Sequence, residues 1–408
     1  MLGVVILEEY PLKWGWIKMR SRESEWLEHQ DKQGLFTEFR GLNRQRVCVN
    51  VSLDTTQPMN PHLHPWAISD GDFPADDFAS DQLEFLLGYA ILAPSPHNTQ
   101  PWKFRINAND VELFADRQRA LPVVDPLHRE LTLACAAALY NLRVATEYFG
   151  RGYTVEVLPR PEEPDHLASL ALRLHAQTSS EDVLLFHAIA QRRTNRETYG
   201  PDGVAEEVLN ELRDAATREG AWLETVTADD ARQAIGELVA QADQIQWASR
   251  EFRGELATWL RSDVEHQADG IPSHDLGVVD WLAFAGPAWV RTFKRGNQEA
   301  ARDAEIAAHS PVLALLGTSE DDARAWMQAG QALQSVLLHA QADGVCASFL
   351  NQPVEVEELR SQLGSLFGRN GFSQVLLRLG YGPKTHPSPR RSVRSTLMKH
   401  SASRGPHQ

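Results

Sequence analysis

From Asp81 onward, apolar positions recur at helical spacing: Leu83, Leu86, Leu87, Ala90 and Ile91 share one face, and Pro94 and Pro96 end the run. Residues 102–106 and 111–114 then read as two short strands, joined by the turn-forming residues 107–110. A second, strongly apolar helix is predicted over 131–149, closed by Gly150 and Gly152, where left-handed caps occur. Residues 206–215 and 231–255 read as helices that are polar on one side. The run 375–379 is a strand candidate, followed by Gly380-Tyr381-Gly382-Pro383 and then by Lys384, Arg390, Arg391 and Arg394. Residues 1–75 show no sustained period and contain Pro58, Pro61 and Pro65, so they are expected to be an extension, disordered or translated upstream of a start at Met59. The tail 399–408 is expected to be disordered.

Segment 135–159 can be laid without gaps on 329–353. Ala138 and Leu139 then fall on Ala332 and Leu333, Gly150 on Gly344, and Pro159 on Pro353. Each copy reads as a buried helix, a glycine stop, a short apolar stretch and a proline. Two explanations stay open: coincidence between helices rich in Ala and Leu, or a duplication that makes the chain a pseudo-dimer. Between the copies, Trp247, Trp259, Trp281 and Trp289 mark an aromatic insertion, which reads as a lid or pocket wall or as packing of a satellite core.

Composition narrows the functions. At 408 residues and 42% hydrophobic, the chain can bury a large core. Its formal charge of −15 would repel a nucleic-acid backbone, so no nucleic-acid partner is expected and any bound phosphate needs a local basic cluster. The three cysteines, Cys48, Cys135 and Cys346, show no disulfide or metal-ligand spacing, and histidines such as His62, His64 and His97 lie in polar loops. Asp263, Glu265 and His266 read as an exposed helical face. Ser95 lacks the glycine elbow of a hydrolase nucleophile. No run approaches membrane-spanning length, and a cytoplasmic protein without membrane contact is the expectation.

The distinctive string is Ala93-Pro94-Ser95-Pro96-His97-Asn98-Thr99-Gln100-Pro101-Trp102. Its prolines stiffen the loop, while Ser95, Asn98, Thr99 and Gln100 offer donors and acceptors from a fixed frame; such a loop can read a polar-edged ring or simply cap backbone. The string resembles the Ala-Pro-Ser-x-x-Asn-x-Gln-Pro-Trp signature of the FMN-dependent nitroreductase family. With Asp125-Pro126 and Arg129-Glu130-Leu131 it looks most like a divergent, long branch with two fused halves, over about residues 80–395. Arg192-Arg193-Thr194-Asn195-Arg196 resembles the family's Arg-x-Ser-x-Arg segment, which holds the FMN phosphate, and paired guanidinium donors suit phosphate oxygens.

That segment lies after the loop, whereas ordinary members carry it before. The resemblance therefore implies that one half gives the loop and the other gives Arg192, Arg193, Thr194 and Arg196, with Lys384, Arg390 and Arg391 as further phosphate ligands. No second Arg-x-Ser-x-Arg string lies in residues 1–80, so one flavin per chain is expected. The turn Leu350-Asn351-Gln352 stands where the family usually carries Glu-Gly beside the flavin; this is a departure that alters the ring environment.

The implied fold is α+β, nitroreductase-like, with mixed sheets flanked by helices. The halves are placed at 76–185 and 186–398, the second carrying a helical, lid-like insertion over 225–300. The implied activity is hydride transfer from NAD(P)H to flavin and on to a nitroaromatic, quinone or similar small-molecule acceptor, with no catalytic side chain required and the chain a monomer. The alternative is a flavin-sequestering stress protein with little turnover.

Overall fold

A computed structural model describes residues 64–174, 177–261, 267–272 and 296–398, together with two upstream two-residue strands. The chain divides into two compact units, Met1–Gln57 and Pro58–Gln408. In the first, β1 (Phe39–Arg40) pairs antiparallel with β2 (Arg46–Val47). All that follows concerns the second.

After α1 (Ala79–Ala90) come β3 (Trp102–Asn107) and β4 (Asp110–Ala115), the long helix α2 (Arg129–Tyr148), β5 (Gly152–Val157) and β6 (His166–Arg173). They form a four-stranded sheet of order β3-β4-β6-β5. Next come α3 (Ser180–Gln191), α4 (Glu206–Arg218) and β7 (Trp222–Val226). An insertion follows, with α5 (Asp229–Ala248), α6 (Arg250–Trp259), the short parallel pair β8 (Leu260–Arg261) and β9 (Ile271–Pro272), and α7 (Gly296–His309). β10 (Val312–Thr318), α8 (Ala323–Ala342), β11 (Cys346–Phe349), the short α9 (Gln352–Glu355), α10 (Glu357–Leu366) and β12 (Phe372–Gly380) complete a second sheet of order β11-β12-β10-β7.

Both sheets thus follow one plan: a first and second strand, a long helix, then a third and fourth strand, with the fourth lying between the second and third. The alignment of 135–159 on 329–353 carries Arg129 onto Ala323 and Tyr148 onto Ala342, so α2 and α8 coincide end to end. The helix stops match as well. Gly150 and Gly344 take φ of 67° and 72°, the left-handed region that glycine enters without steric cost. Beyond them Arg151 N donates to Thr146 O, and Val345 N to Ala340 O.

The two helices pack face to face, and their contacts are reciprocal. Tyr140 donates to Ser335 Oγ at 2.9 Å and Gln334 to Asn141 Oδ1 at 2.7 Å, two pairs that the alignment exchanges. At their crossing a Cβ on Gly330 would lie 2.6 Å from Ala136 Cβ, its counterpart, and 2.3 Å from Leu133 O. Such exchange is what a twofold contact produces.

The sheets differ from the expectation in one respect. Every named pairing within them is antiparallel; among the described residues parallel pairing occurs only outside them, in the short β8–β9 pair and in the isolated bridges of Phe104 with Leu397 and Thr194 with Ala347. The reason is topological: α2 joins β4 to β5, which run the same way but have β6 between them, so no crossover links sheet neighbours. The helix expected over 231–255 is also two helices, because Ser249 leaves the helical conformation and its Oγ caps Phe252 N at 3.1 Å.

Within the insertion, Trp247 packs with Leu121, Val124, Phe252 and Leu256, and Trp259 lies against that cluster. These two tryptophans serve a satellite core; Trp281 and Trp289 lie outside the described residues, as do His62, Asp263, Glu265 and His266. The twelve residues from His64, expected to belong to the extension, include Trp66, Ile68 and Phe73, which pack against the first core.

Candidate functional site

The loop after α1 is held in an unusual shape by its own polar groups. His97, Asn98 and Gln100 take φ of 50°, 53° and 50°. Each left-handed non-glycine residue costs on the order of 1–3 kcal/mol and persists only where the surroundings fix it. Here Ser95 Oγ accepts from Gln100 N at 2.9 Å, and Ser95 O and Pro96 O accept from Asn98 N and Thr99 N at 3.0 and 2.9 Å. Pro94, Thr99 and Gln100 are buried; Ser95, His97 and Asn98 are half-buried.

The C-terminal segment brings arginines to this loop. Met398 N donates to Phe104 O at 2.7 Å, so the chain that leaves the second sheet ends on the edge strand of the first. On the way, Arg390 Nη1 donates to Asn98 Oδ1 at 3.0 Å, and its Nη2 reaches Leu92 O and Ala93 O. Arg391 N donates to Gln100 Oε1 at 2.8 Å and its Nη1 to Gln100 O at 3.0 Å. Lys384 is exposed.

The Arg192–Arg196 segment is tied to the second sheet: Thr194 forms the bridge to Ala347, and Asn195 N donates to Ala347 O at 3.0 Å. Arg192, at the end of α3, is 4% exposed. Its Nε and Nη1 find no acceptor among the described residues, nor does Nε of the equally buried Arg390. Burial, and then Arg193, lower Arg192 to about 9; burial alone lowers Arg193 to about 10. Burial, with Arg192 and Arg193 next, takes Arg390 well below its ordinary value. The groups acting on Arg390 are thus themselves cations. A guanidinium stays protonated at neutral pH, so the strain in this cluster is an unmet demand for an anion. Arg391 differs, since Asp116 and Asp269 also act on it. His97 joins the cluster from the loop: burial, and then Arg196, push its imidazole down to about 4, and its Nε2 has no partner among the described residues.

The loop amides are engaged from a third direction. Asn98 Nδ2 donates to Gly270 O at 3.2 Å and Pro389 O at 3.1 Å, and Gln100 Nε2 to Ala268 O at 2.8 Å. Asp269 between them takes both Nη groups of Arg119 at 2.8 Å and Nη2 of Arg261 at 2.8 Å, while Arg119 also donates to Thr99 O at 2.7 Å. Asn98 and Gln100 therefore bind main chain here, the backbone-capping alternative for this loop.

The structure brings together Pro94, Ser95, His97, Asn98, Gln100, Arg192, Arg193, Arg390 and Arg391, with Thr194 and Arg196 on the same segment. Leu350, Asn351 and Gln352 have partners elsewhere. Leu350 lies in the core beside Val354 and Leu376, Asn351 bridges Glu130 Oε1 (3.2 Å) and Leu376 N (3.0 Å), and Gln352 donates to Asp303 at 2.8 Å. That turn adjoins a set of buried carboxyl groups. Burial pushes Glu130, Glu355, Asp243 and Asp303 upward, and neighbouring carboxylates add to the effect on all of them. Sequence reasoning did not single out the Arg119–Asp269–Arg261 clamp, in which Arg119 lies 150 positions from Asp269, or this carboxyl set. Among the described residues no group of His, Cys, Asp and Glu could hold a metal ion, and no helix is long and apolar enough to cross a membrane.

Comparison with known proteins matches residues 189–381 to the model of the nitroreductase family. A Mycobacterium tuberculosis protein that carries the name NAD(P)H nitroreductase is 32% identical over 319 residues, 77% of this chain and 90% of that relative. A second from the same organism, acg, is 28% identical over 315 residues, 76% of this chain and 92% of its own length. Among solved structures, a nitroreductase with bound FMN from Bacteroides fragilis is similar over 53% of this chain and 96% of its own, at 16% identity and a TM-score of 0.32. The extent and identity of the first match, which runs across both sheets, place this chain in the nitroreductase family.

Proposed function

We propose that the chain binds one FMN, with Arg192, Arg193 and Arg390 at the phosphate and the 94–100 loop beside it, and uses it as an NAD(P)H-dependent oxidoreductase. The observation that carries this reading is the buried cluster of guanidinium groups, with N–H donors unpartnered among the described residues and Arg390 bonded to Asn98 of the loop. A phosphate fits it: several convergent N–H donors in a buried, cation-rich place give the short, charge-assisted bonds such an anion takes.

A flavin supplies acceptance of hydride from a reduced nicotinamide and its onward transfer to an acceptor, for which the candidates are nitroaromatics, quinones and similar small molecules. The side chains position. Asn98 orients Arg390, Thr194 and Asn195 fix the arginine segment against β11, and His97, neutral at pH 7, leaves a ring nitrogen free to accept or donate. No acid or base is needed. In this reading the chain is a monomer in which residues 76–185 and 186–398 act as fused halves, with an insertion over 225–300 and a single site between them. Leu350, Asn351 and Gln352 are assigned to the wall beyond the ring.

One observation favours the second reading, flavin sequestration: the 268–270 segment, clamped through Asp269, covers the loop amides. Rates of NADPH oxidation with a quinone or nitroaromatic acceptor decide between the two. Oxidation that continues through many cycles supports the reductase, tightly held FMN without turnover supports sequestration, and a chain that binds no flavin contradicts both.

A further inference from the structure

Trp66 joins the guanidinium cluster although it is neither a cation nor part of the loop. Trp66, in the one-turn segment His64–Ala67, lies with its ring centroid 3.9 Å from Arg193 Cζ and 4.9 Å from Arg390 Cζ. Its Nε1 donates to Ser388 O at 2.8 Å, which fixes the indole to the same C-terminal segment that delivers Arg390. The ring therefore touches both a guanidinium from the C-terminal segment and one from the 192–196 segment.

The two like charges on this one indole, one buried and one half-buried, are bonded to neutral oxygens, Arg193 to Ala190 O and Arg192 O and Arg390 to Asn98 Oδ1, Leu92 O and Ala93 O, which leaves room for a partner that adds attraction. A carboxylate would provide it by neutralising them, and would then compete with any anion for the same donors. An aromatic face does something different: its quadrupole attracts cations and its area keeps water away, yet it brings no negative charge and accepts no strong hydrogen bond. The cations keep their charge, and Arg390 Nε stays without a partner among the described residues.

We propose that Trp66 is a positioning residue of the phosphate site, an indole that holds both Arg193 and Arg390 against its π-system without neutralising them and so sets the preference for a phosphorylated flavin over an unphosphorylated one. This rests on the reading that the cluster receives the FMN phosphate. It also gives residues just before the first helix a role in the site.

The test compares FMN with riboflavin, which share the ring and differ at the phosphate. Each is titrated by fluorescence into the full chain stripped of flavin, for wild type, Trp66→Leu and Trp66→Phe. Trp66→Leu is expected to reduce the preference for FMN about tenfold while riboflavin affinity holds, the scale of one lost buried cation–π contact; Trp66→Phe, which keeps a flat face, should retain most of it. An unchanged preference in Trp66→Leu, equal loss of both ligands, or a Phe variant as impaired as the Leu variant would each overturn the proposal. If Trp66→Leu does not fold, Trp66→Met takes its place with the same expectation. A wild-type chain that binds FMN no better than riboflavin overturns the phosphate reading itself, which separates that failure from failure of the Trp66 role alone.

Discussion

Arg192 is a buried cation whose side chain has N–H groups without a partner, and no carboxylate that shifts it, among the described residues. Such a group lowers the stability of the ligand-free chain and raises affinity for an anion. Arg192→Met is therefore expected to raise the melting temperature in phosphate-free buffer, by on the order of 1–3 kcal/mol of stability, and to weaken FMN binding at least tenfold. Thermal melts with and without FMN check both signs, and a variant less stable than wild type without ligand would count against the account. Arg390 should behave otherwise, because Leu92 O, Ala93 O and Asn98 Oδ1 would lose their donor. Arg390→Met is expected to lose stability and FMN affinity together. At this scale much of the site was legible in the sequence, since the proline-rich string and the arginine pentamer are local patterns. Trp66 was not, because it sits in a stretch without period. The engagement of Asn98 and Gln100 by residues 268–270 depends on contacts across more than 160 positions, which no local pattern reports.

The crossing of α2 and α8 depends on Gly330, where a methyl group would meet a carbonyl oxygen and another methyl. Glycine-to-alanine inside a helix ordinarily gains about 1 kcal/mol, so the sign is decided by the contact. Gly330→Ala should destabilise by about 2 kcal/mol or more, whereas Gly254→Ala in α6, with nothing within 4 Å, should gain slightly. Denaturant melts of the two variants give opposite shifts if the helices approach as described.

The insertion docks on the second half through carboxyl groups. Gln246 of α5 donates to Glu355 of α9 at 2.6 Å, Gln352 donates to Asp303 of α7 at 2.8 Å, and Asp243 lies beside Asp303 and Glu299. Arg129 faces Glu355, and Arg302 and Arg378 face Asp303, without reversing the upward shifts. Because these acids hold protons more tightly folded than unfolded, the contribution is complete at low pH and is lost as pH rises above the ordinary carboxyl range. From about pH 5 to about pH 9 this set is expected to subtract stability, and Asp243→Asn should flatten that slope in pH-dependent melts. Helices α1, α2 and α4 and the first hairpin were readable from the sequence pattern, whereas α3, α7 and α10 were not singled out. β10 was not singled out, being buried on both faces and so lacking alternation. The break at Ser249 falls inside a helical pattern that continues on either side.

For the whole molecule, the shared strand order and the reciprocal α2–α8 contacts make each half resemble a subunit of a twofold dimer. The repeat was visible in sequence through only a few matched residues, because glycine stops and helix-crossing positions constrain residue identity whereas the rest of a helix needs only apolar character. The single-site claim follows from asymmetry: the arginine segment at 192–196 meets the loop at 94–100, and Leu350–Gln352 has its partners in the core and the carboxyl set. Bound ligand should also stabilise the chain by mass action, about 2.7 kcal/mol at a hundredfold excess over the dissociation constant. The central claim is tested most directly by counting flavin: chains saturated with FMN and freed of excess are denatured, and released flavin absorbance is compared with protein concentration. One FMN per chain is predicted, lost in a chain with both Arg192 and Arg390 replaced; two per chain, or none, would contradict the account.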